Sequence, residues 1–359
     1  MAEAFLALSR IDQAEVLELA RARSGRPAHL LEKDVWVVWA LAALFDSPLA
    51  QHLTFKGGTS LSKAYKLIDR FSEDIDLSCD IRSLIPDLLA RDAALPTTRS
   101  QANKWTKAVR ERLPQWLATD VNPVLEAALA REHLQAGLEI GGADHASVLL
   151  HYPATTRGSG YVRPTLTLEF GGRATGEPRQ PLQVNCDMDG LVEGVAFPSA
   201  RPWVMGLART FWEKATAAHV YCAQARVHGE RYARHWHDLA AIARGADISA
   251  IVADRVVAKA VAEHKSCFFA EKDSAGDWVD YFAATQGALR LAPQGQARDA
   301  LAADYAAMLA DGVMVGDAIA FEELMTACEH IAGLANGGVR RPPTTASIDI
   351  AKPETSPSG

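Results

Sequence analysis

The sequence predicts an α+β protein, with an N-terminal lobe built on a small mixed sheet and a helical C-terminal lobe. Three observations carry this. The stretch Pro164-Thr165-Leu166-Thr167-Leu168-Glu169-Phe170 alternates, with Leu166, Leu168 and Phe170 on one face and Thr165, Thr167 and Glu169 on the other, as a half-buried strand does. The stretch Val35-Trp36-Val37-Val38-Trp39-Ala40-Leu41 is apolar all round, which fits a helix buried against a sheet. From Gly206 onward the chain reads as one helix after another. The expected units are an N-terminal helix over 1–27, an α/β lobe over 28–205, a helical lobe over 206–335, and a Pro-, Ser- and Thr-rich tail over 336–359 with the composition of a disordered segment.

Taken in order, residues 1–24 form an amphipathic helix that Ser24-Gly25-Arg26-Pro27 breaks. The next helix carries Glu32-Lys33-Asp34, read as an acidic first turn that caps the helix or as a charged trio that orders the segment after it. Leu53 and Phe55 then lead into Gly57-Gly58, a tight turn, and Thr59-Ser60 open a helix through Leu67. Such a turn aims free N–H groups and two hydroxyls at whatever lies above the helix start, and an anion is favoured there. Lys56, Lys63, Lys66 and Arg70 surround it, against one acid, Asp69.

The segment Ser72-Glu73-Asp74-Ile75-Asp76 follows, and residues two apart on a strand share a face, so Asp74 and Asp76 point the same way as Ser72. Two carboxylates held so close repel unless a cation lies between them. Mg²⁺, which takes one or two carboxylates plus substrate phosphate oxygens, is the simplest answer. The bland alternative, a glycine turn beside an exposed acidic strand, leaves the basic cluster unexplained.

Residues 81–135 read as helices broken at Pro86, Pro96, Pro114 and Pro123. Within them Arg99, Lys104, Lys107, Arg110 and Arg112 form a basic run around Trp105, either a solvated helix face or a grip on an RNA backbone. A strand at 148–152, a loop at Gly158-Ser159-Gly160, a strand at Leu182-Gln183-Val184 and a polar loop from Asn185 to Gly194 complete the first lobe. Glu169 is either a third carboxylate of the site or a surface acid at a strand end. Helices are expected over about 206–226 and 230–244; in the second, Arg234 and Asp238 lie one turn apart and can pair. Phe268-Phe269, Trp278, Tyr281-Phe282, Tyr305, Met308 and Phe321 are the expected core beyond.

Composition narrows the class. A net charge of -7 argues against a protein that coats nucleic acid, though local basic grooves remain open. Five scattered cysteines without C-x-x-C spacing indicate neither a zinc site nor a disulfide framework. The longest apolar run, residues 35–45, is too short to span a bilayer, and the N-terminus lacks a signal-peptide pattern. A cytoplasmic protein without a membrane partner is expected.

The combination of Gly57-Gly58-Thr59-Ser60, a short helix and Ser72-Glu73-Asp74-Ile75-Asp76 resembles the nucleotidyltransferase toxins of the AbiEii/AbiGii type, relatives of the MenT toxins. Glu213-Lys214 on one helix and Arg234-His235-Trp236-His237-Asp238-Leu239 on the next resemble later motifs of that family. The resemblance spans roughly 28–335. It implies a nucleotidyltransferase-like first lobe and transfer of a nucleotide from an NTP, with two Mg²⁺ ions on Asp74, Asp76 and Glu169. It implies that Lys56, the Gly57-to-Ser60 turn, Arg70, Ser72 and Lys214 hold the nucleotide, and that Lys214 and Asp238 belong to the catalytic set. Arg231, Arg234 and His237 are left without roles. It further implies a toxin-antitoxin or phage-defence role, a tRNA 3′ end as acceptor, and a winged-helix antitoxin encoded nearby that acts without a tight complex or by modifying Thr59 or Ser60. Two rivals stand beside it: nucleotidylation of a small molecule or protein side chain, and a nucleotide-binding module without transfer activity.

Overall fold

The computed structural model describes residues 2–72, 74–89, 95–142, 145–156, 164–225, 231–310, 314 and 319–337. The Gly158-Ser159-Gly160 loop, Glu73, the helix start at Glu230 and nearly all of the tail lie outside them.

The helix Arg10–Ser24 starts where the Ser9 hydroxyl accepts the Asp12 N–H and stops at Gly25, which takes φ 72°, a left-handed cap that suits glycine. Leu17 and Ala20 bury its apolar stripe in the same core as the next helix, Ala28–Phe45. That helix is buried nearly throughout, as its unbroken apolar sequence requires. Glu32, Lys33 and Asp34 sit inside it rather than in its first turn, and all three are buried, so the capping reading is overturned. Glu32 accepts the Thr155 and Thr156 N–H groups, which ties the helix to the loop after a sheet strand.

The helix packs on a seven-stranded mixed sheet with the spatial order Gly137–Gly141, Ser147–His151, Thr165–Ala174, Asp74–Asp80, Leu53–Lys56, Trp203–Met205 and Arg179–Pro181. The central strand Asp74–Asp80 runs parallel to Thr165–Ala174 and antiparallel to Leu53–Lys56. Ile75, Leu77 and Cys79 are buried on one face with Leu166, Leu168 and Phe170, and the residues between them turn to the opposite face. Leu182–Val184 is not one strand: Arg179–Pro181 joins the sheet edge, while Val184–Asn185 pairs with Ser199–Ala200.

Pro114 does not break its helix. Arg99–Trp116 runs through it, and a π-helical turn at Leu117–Val121 follows, as when a residue without an N–H leaves a gap in the hydrogen-bond ladder. Trp105 on this helix is buried at 1% exposure and so offers no stacking surface. Around it Arg112 pairs with Asp87, Lys107 with Glu111, and Arg99 stacks on Trp278 at 3.8 Å. The run thus lies on a solvent-facing helix surface with Trp105 turned into the core.

A second apolar cluster gathers Phe211, Trp212 and Tyr221 of the helix Leu207–Gln224 and Trp236, Leu239 and Ile242 of Arg234–Gly245. Tyr305, Met308, Leu324 and Ile331 of the later helices complete it. Trp278 (52% exposed) and Phe282 (37%) lie outside the core expected for them, and Phe268, on the helix Arg255–Phe268, packs into the sheet core instead.

Candidate active site

The sheet's polar face brings the carboxylates together. Strand register sets Asp76 opposite Lys56 on one neighbour and opposite Glu169 on the other, with Asp74 beside Thr167 one step back. Glu169, solitary in the sequence, therefore stands across a parallel pair from Asp76. Burial pushes its carboxyl up, Asp76 and Asp74 push it further, and Lys56 opposes them. The Glu169 carboxyl thus sits against like charge and favours a proton or a cation. Among the described residues no group of three or more His, Cys, Asp or Glu side chains is drawn together as a metal cage. The donors that are present are hard oxygens, which suits a cation that completes its shell with substrate phosphate.

The glycine turn meets these carboxylates directly. Gly57 takes φ 77°, and a Cβ there would collide with the Asp76 carboxylate, so only glycine fits. A Cβ on Gly58 would come within 2.5 Å of Arg70 Nη2 and 3.1 Å of Ser72 Oγ. The helix is shorter than expected, Gly57–Lys63, and Lys66 beyond it adopts φ 54°. Thr59 and Ser60 do not aim their hydroxyls outward: both are buried, Thr59 donating to the Asp74 carbonyl and Ser60 to that of Gly57 at 2.9 Å. The Thr59 hydroxyl holds the turn against the strand and that of Ser60 closes the turn on itself, so modification of either would require the turn to open.

Lys63 also departs from the expected cationic ring. It is buried between Asp34 (2.5 Å) and Asp187 (2.6 Å), and Asp34 accepts the Asp187 N–H at 2.6 Å. Burial pushes the Lys63 ammonium down, and the two carboxylates more than reverse this, so it stays charged. Of the Glu-Lys-Asp trio, Asp34 is the residue tied to the turn's helix, through Lys63. A buried polar group inside an apolar helix was the sequence signal for it; the partner, Asp187, lies too far along the chain to be read.

A second charged cluster closes the other side. Arg70 Nε and Nη2 donate to Asp238 Oδ1 and Oδ2 at 2.9 and 2.8 Å, and Lys214 Nζ lies 2.8 Å from Asp238 Oδ2. Asp238 is fully buried and Arg70 nearly so, at 4%. Burial alone would push the Asp238 carboxyl up, but Arg70, Lys214 and the His237 ring hold it well below the usual carboxylate range. Asp238 therefore pairs with Arg70 and Lys214, not with Arg234 one turn away, and holds both cations in place. Arg70 Nη1 is buried with no hydrogen-bond partner among the described residues. The cluster holds two cations and one carboxylate, and so carries one surplus positive charge beside Gly58. His237 packs its Nδ1 3.2 Å from Asp238 Oδ1, while the Arg231 N–H donates to Asp304 at 2.7 Å.

The helix Leu207–Gln224 also carries Arg209 and Glu213, which pair at 3.0 Å, and Glu213 is held down at about 2: burial opposes this, but Arg209, Lys56, Lys265 and His264 prevail. Sequence reasoning passed over Arg209, Lys265, Arg173 and His264. The i, i+4 spacing of Arg209 and Glu213 was legible, but the approach of Lys265 and Arg173 was not.

No curated protein sequence matches the chain. Among solved structures it is similar to the MenT4 nucleotidyltransferase toxin of Mycobacterium tuberculosis H37Rv, at 16% identity and a TM-score of 0.41, covering 92% of this chain and 99% of that one. The family model for the nucleotidyl transferase AbiEii toxin, type IV toxin-antitoxin system, matches residues 39–327. That match takes in the glycine turn, the carboxylate strands and the Lys214–Asp238 cluster alike, and the chain belongs to the AbiEii nucleotidyltransferase toxin family.

Proposed function

We propose that this nucleotidyltransferase adds a nucleotide from an NTP to an RNA 3′ end, that of tRNA above all, and thereby blocks the acceptor's use. The observation that carries the reading is the register Asp76 opposite Glu169 on a polar sheet face, flanked on one side by the glycine turn and the surplus charge of Lys214 and Arg70. In this reading residues 28–205 form the sheet lobe and 206–335 the helical lobe that closes over it. No described helix is long and apolar enough to cross a membrane.

The chemistry divides among the chain's own groups. The turn at Gly57-Gly58, Ser72 and Lys214 hold the triphosphate, with Lys214 serving as a compact point charge. Arg70 faces the turn from behind, and Asp238 fixes both cations in place. The acceptor hydroxyl oxygen bonds to the α-phosphorus as the bond to pyrophosphate breaks, and the hydroxyl proton passes to a carboxylate. Glu169, whose carboxyl is pushed up, is the best-matched proton acceptor, with Asp76 beside it. A pair among Asp74, Asp76 and Glu169 would hold Mg²⁺, with substrate phosphate oxygens completing its shell, and the ion would supply charge neutralisation at the transferring phosphate. An acid-lined pocket would have favoured a small-molecule acceptor; the cavity next to the carboxylates is instead rich in Lys and Arg, which favours a polyanion. A winged-helix antitoxin encoded nearby, in a toxin-antitoxin or phage-defence pair, fits the family.

The test is to incubate the chain with each labelled NTP and total RNA, with Mg²⁺ or with chelator, and to resolve the products. Label on tRNA only when Mg²⁺ is present is the expected result; label on protein or on small molecules alone would overturn the RNA assignment.

A further inference from the structure

Beyond the carboxylates, along the same sheet face and away from the glycine turn, lies a cavity of about 300 Å³ whose walls include Lys56, Ser78, Arg173, Glu213, His264 and Lys265. Strand geometry fixes its place. Ser78 is two residues past Asp76, so it lies roughly 7 Å further along the strand on the same face, with Gly171 beside it on the neighbouring strand. The turn at Gly57 leaves Lys56 in the opposite direction. The helices Leu207–Gln224 and Arg255–Phe268 roof the cavity with Glu213, His264 and Lys265.

Two features of this cavity call for a ligand. The first is charge: Glu213 is engaged by Arg209 at 3.0 Å, and among the described residues no ion pair neutralises Lys56 or Lys265. Burial pushes the Lys265 ammonium down, Glu213 opposes, and Lys56, Arg173 and Arg209 push it down again, so the one carboxylate of the lining faces several cations. The second is His264, buried at 7% exposure. Its Nε2 sits 2.8 Å from the Arg173 carbonyl, which fixes the ring proton on that nitrogen. Burial holds the ring neutral, its value down at about 4, and Nδ1 is left as a buried acceptor without a partner among the described residues. An acceptor beside cations matches a group that offers a hydroxyl next to a phosphate.

We propose that this cavity is a ribose-phosphate subsite, with Lys265 and Lys56 on the phosphate and His264 Nδ1 accepting a ribose hydroxyl. It rests on the nucleotide-transfer reading above. The donor's triphosphate belongs to the turn and Lys214, so the ribose-phosphate in the cavity comes from the strand that accepts the nucleotide, next to its terminal unit. The 2′-hydroxyl is what distinguishes an RNA strand from DNA at such a site.

The experiment uses the full chain and three probes: each NTP, a short single-stranded oligoribonucleotide with a free 3′ end, and its deoxy counterpart, with binding measured calorimetrically. Lys265→Gln should weaken oligoribonucleotide binding about tenfold or more and lower its salt slope by about one. NTP affinity should stay within about twofold, and Lys265→Arg should restore most of the loss. His264→Gln keeps a donor toward the Arg173 carbonyl and should erase any preference for ribo over deoxy strands. Melting temperature should hold or rise for Lys265→Gln, since a disfavoured buried charge is removed; that separates the result from damage to the fold. Loss of NTP affinity with strand binding intact would support the subsite but assign it to the donor nucleotide. No change in either, in a folded Lys265→Gln chain, would overturn it. A wild-type chain that binds NTP but no oligoribonucleotide would sink the RNA-acceptor reading alone, and the subsite would then stand or fall on the NTP arm.

Discussion

Asp238→Asn and Lys214→Met perturb the same cluster and should do opposite things. Asp238 is fully buried and anchors Arg70 through two hydrogen bonds and Lys214 through a third contact. Replacing its charge with an amide leaves Lys214 and the nearly enclosed Arg70 without the counter-ion they share. Breaking a buried pair from one side costs roughly 3–5 kcal/mol, and at about 2–4 °C per kcal/mol for a chain with large domains the melting temperature should fall by roughly 6–20 °C. Lys214→Met instead leaves Arg70 and Asp238 as a neutral, doubly bonded pair, so melting should move by less than about 3 °C. Yet the surplus charge that faces the triphosphate is gone, and NTP affinity should fall. Scanning calorimetry and NTP titration on both variants are the assays.

The pH dependence carries a sign as well. Asp238 has its folded value depressed, so its contribution is complete above the ordinary aspartate value of about 3.9 and is withdrawn as pH falls toward the folded value. The wild type should lose stability over that acid window, and Asp238→Asn should have lost that part of the slope already. If Asp238→Asn melts within about 2 °C of wild type at neutral pH, the cluster does not act as a buried counter-ion site and the reasoning fails.

Asp76→Ala should abolish transfer while stability holds or rises, because it removes a repelling carboxylate; transfer near the wild-type rate would refute the carboxylate reading. Glu169, with its carboxyl raised, contributes stability that is present below the unfolded value and lost as pH rises through the folded one, so Glu169→Gln should raise the melting temperature at neutral pH and flatten the rising limb of the pH–rate profile. Gly57→Ala places a Cβ on the Asp76 carboxylate and forces a left-handed residue, at about 1–2 kcal/mol, and should cost far more in transfer than in melting. Lys104→Glu with Lys107→Glu should leave both NTP affinity and transfer unchanged, since that helix face is solvated; selective loss of transfer to RNA would reinstate it as a grip.

The local chemistry was legible without the fold. A glycine pair before a polar helix start, and two carboxylates at strand spacing, follow from backbone sterics and the two-residue period, and both stand where the sequence placed them. The apolar helix Ala28–Phe45 and the alternating strand at 165–174 were legible for the same reason, because short-range periodicity reports which face is dry. Partnership was not. Asp238 lies one turn from Arg234 and yet binds Arg70, 168 residues away in the chain, because a fully buried carboxylate needs counter-charges that its own helix does not bring to it. Lys63 read as one of the cations around the turn until Asp34 and Asp187 closed on it, and Thr59 and Ser60 read as ligands until the strand beneath claimed the Thr59 hydroxyl and the turn itself that of Ser60. The basic cavity beyond Asp76 draws Lys56, Arg173 and Lys265 from three separate elements, and only the packing of two helices over the sheet gathers their charges into one place. Sequence determines what each residue can do over a few neighbours; long-range packing decides which charges are buried together, and burial decides which of them must find a partner.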